Sequence, residues 1–169
     1  MLERAVEEGL TLLVVGKPAD RAQAFLRVAS ISPRRLPSLF LSSYPGSTKL
    51  LVEASRGLGL EPLLDSVLVS TVAAEASSLA ALVSSLSPVL SRGTASTVAF
   101  DALFAPALKA AGGDLVERGR LAVALSTLRA SARRGRVPAL IMEAPRPPRL
   151  LAKCVDAVWP PTPPGRRGS

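Results

Sequence analysis

Short apolar runs alternate with stretches of helical periodicity along most of the chain, and that alternation restricts the fold more than any other feature. Residues 10–15 (LTLLVV) read as a buried strand, and 39–42 (LFLS), 67–70 (VLVS), 97–100 (TVAF) and 139–142 (ALIM) as further strands, with 155–159 (VDAVW) as a short sixth. Between them, residues 21–30, 48–57, 73–86 and 114–134 carry helical spacing, the second stopped by Gly57 and Gly59. Strand and helix in turn imply an α/β fold of three layers, a mostly parallel sheet with helices on both faces. At 169 residues the chain suits one domain, expected over residues 1–159. Residues 160–169 (PPTPPGRRGS) cannot continue a strand or helix and are expected to form a disordered Pro/Arg-rich tail.

Composition excludes several classes of chemistry. The chain has no histidine and one cysteine, Cys154, so Ser-His and Cys-His pairs, an internal disulfide and a His- or Cys-based zinc site are all ruled out. Cys154, in an apolar context, is expected to be a small buried side chain. Residues 76–91 form the longest uncharged stretch, but six serines and Pro88 interrupt it, so no membrane span is expected. The N-terminus, MLERAVEEGL, carries acids where a signal peptide carries bases, which points to the cytoplasm. Asparagine is absent and Gln23 is the sole glutamine, as fits a thermophile; the Arg, Ala and Pro bias fits a GC-rich genome equally.

The net charge of +8 is unevenly placed. From Arg118 onward eleven Arg or Lys face two acids, Glu143 and Asp156, whereas ten bases and eleven acids precede it. An anionic partner, nucleic acid first, fits the C-terminal third; solubility alone is the other reading. On the helix at 114–134, Leu121, Leu125, Leu128 and Ala132 form a core stripe, with Arg118, Arg129 and Arg133 beside it. Those three arginines read either as a phosphate-binding edge or as stems lying over apolar surface. Arg134, Arg136, Arg146, Arg149 and Lys153 complete the set of DNA-binding candidates. With the fifth strand central, Arg133, Arg134 and Arg136 lie at one end of it and Arg146 and Arg149 on the Pro-rich loop at the other. That loop has no aromatic to stack bases, so contact is expected through backbone charge, without sequence readout.

Four stretches in order resemble the ATPase core of RecA-type recombinases, particularly the archaeal RadA group and its paralogs. They are LLVVGKPADRAQAFLRVA, LLVEASRGLGLEPLLDSVLV, TVAFDALFAPAL and LVERGRLAVALSTLRASARRGRVPALIMEA, spanning about residues 10–145. The resemblance implies a truncated RecA-like P-loop fold with a degenerate phosphate loop. An active loop reads G-x-x-x-x-G-K-[ST]; counted from Gly16, this chain has Arg21 for the second glycine, Ala22 for the lysine and Gln23 for the hydroxyl. Lys17 lies in the loop at another register, and Tyr44 falls where the family places its water-polarising glutamate. Asp101 matches the metal-associated aspartate. Asp20 is expected to cap the following helix, and Glu143 to be a structural or interface acid.

With those residues lost, no catalytic residue, metal or resident cofactor is implied, although weak ATP binding stays open. The function this implies is an accessory paralog in recombination or repair, binding DNA, single-stranded in view of the family's DNA-contacting loop, or a RecA-type partner, or itself. The alternative is a nucleotide-binding regulatory module of the KaiC-like group. Trp159 is read as covering a sheet edge or touching a partner.

Overall fold

The computed structural model describes residues 1–33 and 35–160. Six strands, β1 (Thr11–Val15), β2 (Ser38–Ser42), β3 (Val67–Thr71), β4 (Thr97–Asp101), β5 (Ala139–Glu143) and β6 (Ala157–Trp159), form one sheet in the order β3-β2-β4-β5-β1-β6. Every neighbouring pair is parallel. The helices are α1 (Leu2–Glu8), α2 (Pro18–Ile31), α3 (Ser47–Leu58), α4 (Ala76–Ser91), α5 (Phe104–Ala111), α6 (Leu115–Gly135) and α7 (Arg149–Lys153), with a 3-10 turn at Glu61–Ser66.

The two sheet faces follow from strand alternation. Leu12, Val14, Phe40, Ala99, Leu140 and Met142 point to one side, where α1, α2 and α3 cover them. Leu13, Leu41, Val98, Phe100, Ala139 and Ile141 point to the other, under α4, α5 and α6. Phe25 of α2 meets Phe40 edge-on at 5.0 Å, and Phe100 meets Phe104 of α5 at 5.6 Å. Both spacings suit aromatic pairs. The four stripe residues of α6 are fully buried, as expected. That helix starts where its sequence says it should, because the Asp114 carboxylate accepts from the amides of Val116 and Glu117.

Three expectations need correction. Asp20 does not cap α2: the helix begins at Pro18, with Lys17 as its N-cap and Asp20 already in the first turn. Proline at the first helical position loses nothing, since that amide has no partner within the helix. The stretch at 144–149 is not loop throughout, because Arg149 opens α7. Cys154 is half-buried rather than buried, at the end of α7. The expected tail, apart from Pro160, lies outside the described residues. No described helix is long and apolar enough to cross a membrane.

Candidate nucleic-acid interface and the filled phosphate-loop position

The connection from β1 to α2 is two residues, Gly16 and Lys17. Because α2 starts so early, Arg21 lies in its first turns and its side chain reaches over the C-terminal end of the sheet. Its Nε donates to Asp101 Oδ1 at 2.7 Å, and its Nη1 donates to the Gly16 carbonyl at 2.8 Å. Ser42 Oγ donates to the other Asp101 oxygen at 3.3 Å and in turn accepts from the Tyr44 amide at 3.0 Å. The two charged side chains are 7 % and 5 % exposed. A charged pair so deeply withdrawn from water persists only when its hydrogen bonds are made, and here the partners are in place.

Among the phosphate-loop equivalents the structure therefore joins Gly16, Arg21 and Asp101. The others go elsewhere. Lys17 and Tyr44 are exposed, Ala22 is packed in the core beneath the sheet, and Gln23 lines a small cleft with Trp159. Trp159 itself lies half-buried on the edge strand β6, against the core on the α2 side.

Beside this network, the C-terminal ends of β4 and β5 open into a cavity of about 780 Å³. Its walls are apolar, from Ala102, Pro106, Leu108 and the prolines after β5, while Lys109, Arg118 and Arg146 stand around it. Glu143 lies inside and is buried; its Oε1 accepts from the Ala105 amide at 3.0 Å. Burial pushes its carboxyl up to about 7, with the Asp101 charge adding to the rise; the Ala105 amide and the Arg21 charge oppose it. Ala102 and Arg146, both lining the cavity, hold left-handed backbone, with φ of 52° and 62°. Such strain costs about 1–3 kcal/mol per residue and gathers where geometry matters to function.

The basic candidates do not form one surface. Arg118 is at the cavity, its Nη1 donating to the Gly112 carbonyl at 3.2 Å. Arg129 and Arg133, about three and four turns further along α6, both pair with Asp156 Oδ1, each at 2.7 Å. The expected grouping of these three arginines along one edge is thus divided, and two of them share the single Asp156 carboxylate within the chain. Burial alone would raise the Asp156 carboxyl, but hydrogen bonds from Arg133, the Thr11 amide and Arg129 outweigh it and hold the group below the usual aspartate range. Arg134 and Arg136 are exposed at the opposite end of β5 from Arg146, as the central position of β5 requires. Arg149 and Lys153 are exposed at the two ends of α7. Lys109 was missed by sequence reasoning because its helix, α5, was missed.

A six-stranded parallel sheet in this order, covered on both faces, is the RecA-like α/β fold. Among solved structures the chain is similar to the crystal structure of the RadB recombinase, with a TM-score of 0.60 and 19 % identity. The alignment covers 82 % of this chain and 62 % of that one, so this chain spans less than two thirds of its neighbour's length. At that identity the likeness concerns the fold. No family profile matches the sequence, and no curated protein does.

Proposed function

We propose that this chain is a RecA-like accessory protein of DNA recombination or repair, acting by binding and without hydrolysing ATP. The observation that carries the reading is the buried Arg21–Asp101 pair. Asp101 is the residue whose counterpart in the resemblance serves the metal, and here its carboxylate is already satisfied by a guanidinium and a hydroxyl. A nucleotide phosphate with its metal would have to displace Arg21 and leave that cation buried without a partner. The same argument weighs against a KaiC-like nucleotide-responsive module, which needs open space beside Asp101.

Binding falls to the cavity at the ends of β4 and β5, where open parallel sheets place ligands. Lys109, Arg118 and Arg146 supply positive charge around apolar walls, which suits the phosphates of single-stranded DNA contacted without base readout. A RecA-type partner is the second expected contact. β3 is an edge strand, with Leu68 59 % and Val69 39 % exposed, whereas strands of a parallel sheet are ordinarily covered on both faces.

Fluorescence anisotropy with labelled single-stranded DNA across a salt series tests the binding. Three phosphate-contacting cations give a slope of log K against log salt of about −2. Absence of binding at low salt would remove DNA from the reading and leave the partner contact alone.

A further inference from the structure

We infer that the cavity at the C-terminal ends of β4 and β5 takes up a phosphodiester together with a proton, with Glu143 admitting the anion when neutral and repelling it when ionised. The inference rests on the phosphate-contacting cavity proposed above and adds what controls its occupancy.

The position of Glu143 carries it. The residue ends β5 and lines the same cavity as Lys109, Arg118 and Arg146, yet it is only 2 % exposed. Among the described residues it makes no ion pair. Arg118 bonds the Gly112 carbonyl instead, and Glu143 Oε1 accepts from the Ala105 amide at the start of α5. An acid buried without a paired cation favours its neutral form, and that form has a hydrogen to donate. A phosphate oxygen held in the cavity by the surrounding cations is an acceptor suited to that hydrogen.

The charges facing Glu143 come from several elements. Asp101 of β4 and Arg21 of α2 stand near it but are closed on each other at 2.7 Å. α5 contributes Lys109 and the amides of Phe104 and Ala105, α6 contributes Arg118, and the loop after β5 contributes Arg146. β1, the adjacent strand, carries no titratable side chain, and Arg149 of α7 is outside the lining. Burial is the largest influence and, with the Asp101 charge adding to it, sets the carboxyl at about 7 against the amides and Arg21. The chain has no histidine to titrate in the same range.

A bound phosphate brings a second negative charge toward the ionised carboxyl. A cavity of about 780 Å³ is roughly 10 Å across, and unit charges that far apart at an effective dielectric of about 20 repel by an amount equal to on the order of tenfold in affinity. Linkage makes the effect reciprocal: protonation tightens phosphate binding, and phosphate raises the pKa of the carboxyl by the same factor. With the free carboxyl at about 7, about fivefold of that difference falls between pH 6 and pH 8, affinity decreasing as pH rises.

Two titrations test this on the whole chain, with circular dichroism showing it folded throughout. Anisotropy with labelled oligothymidine at fixed ionic strength is expected to show about fivefold weaker binding at pH 8 than at pH 6. Glu143→Gln, which keeps a neutral side chain with a donor, is expected to bind at both pH values as the unaltered chain does at pH 6, within about twofold. Dimethyl phosphate, a phosphodiester that does not itself titrate in this range, separates the cavity from the DNA. In carboxyl carbon-13 NMR spectra, with the signal assigned by its loss in Glu143→Gln, it is expected to raise the Glu143 midpoint by about 1 pH unit. DNA binding equal at pH 6 and pH 8, or a pH dependence that persists in Glu143→Gln, would overturn the inference. So would a Glu143 midpoint unmoved by dimethyl phosphate. If no DNA binds at either pH while dimethyl phosphate still raises the midpoint, the DNA reading falls and the proton-coupled anion site stands.

Discussion

Replacing Arg21 by alanine removes the cation from a pair closed at 2.7 Å between side chains that are 7 % and 5 % exposed. Asp101 then keeps one side-chain donor, Ser42 Oγ at 3.3 Å, and the Gly16 carbonyl loses its bond from Nη1. Breaking a buried pair from one side costs about 3–5 kcal/mol, because the remaining charge stays buried without compensation. An exposed pair would cost at most about 1 kcal/mol, so the two situations are well separated. For a chain of this size, 3–5 kcal/mol lowers the melting temperature by about 10 °C or more. The double substitution Arg21→Met with Asp101→Leu removes both charges and is expected to recover most of the loss, since apolar replacement of a buried pair is often neutral or stabilising. Urea unfolding followed by the fluorescence of Trp159, the single tryptophan, reads both variants. A loss below about 1 kcal/mol for Arg21→Ala, or a double variant no more stable than the single one, would refute the reasoning.

Other outcomes follow from the same geometry. Glu143 has a folded-state pKa of about 7, above its ordinary value, so the folded chain holds this proton more tightly than the unfolded one. Its contribution is complete below the unfolded pKa and is lost as pH rises toward 7, by up to about 3 kcal/mol; Glu143→Gln should flatten that part of a stability-versus-pH curve. Asp156 is shifted the opposite way, so its contribution is present above the usual aspartate range and lost as pH falls. Asp156→Ala leaves the amide of buried Thr11 without its acceptor and should cost about 1–3 kcal/mol in urea unfolding. In DNA titrations, Lys109→Ala and Arg146→Ala should each reduce the salt slope by about 0.7, whereas Arg134→Ala, at the far end of β5, should leave it unchanged.

The sheet was legible because its strands are short apolar runs set between helical segments, continuous where β1, β4 and β5 are buried on both faces, and all six were found within a few residues of their observed bounds. The long helix α6 was equally legible, through its leucine stripe. Short helices were not. α5 has eight residues, with Pro106 in its first turn and Gly112 and Gly113 after it, so its punctuation reads as loop. The proline is harmless there because first-turn amides have no partner within the helix. The start of α2 was misplaced for a different reason. The phosphate-loop spacing counted from Gly16 places the helix start after Asp20, whereas Pro18, a first-position helix signal, begins it. Two arginines counted toward the basic surface are paired with Asp156, 27 and 23 residues away in sequence. No local pattern reveals such a pairing, because it exists only once β6 is laid beside β1.

The most direct test of the account is to titrate labelled single-stranded DNA across salt with and without Mg-ATP, alongside calorimetric titration of Mg-ATP alone. The account expects salt-sensitive DNA binding that is the same with and without nucleotide, and no heat of nucleotide binding, because Arg21 holds the place beside Asp101. DNA affinity that changes with Mg-ATP, or measurable Mg-ATP binding by the unaltered chain, would contradict it.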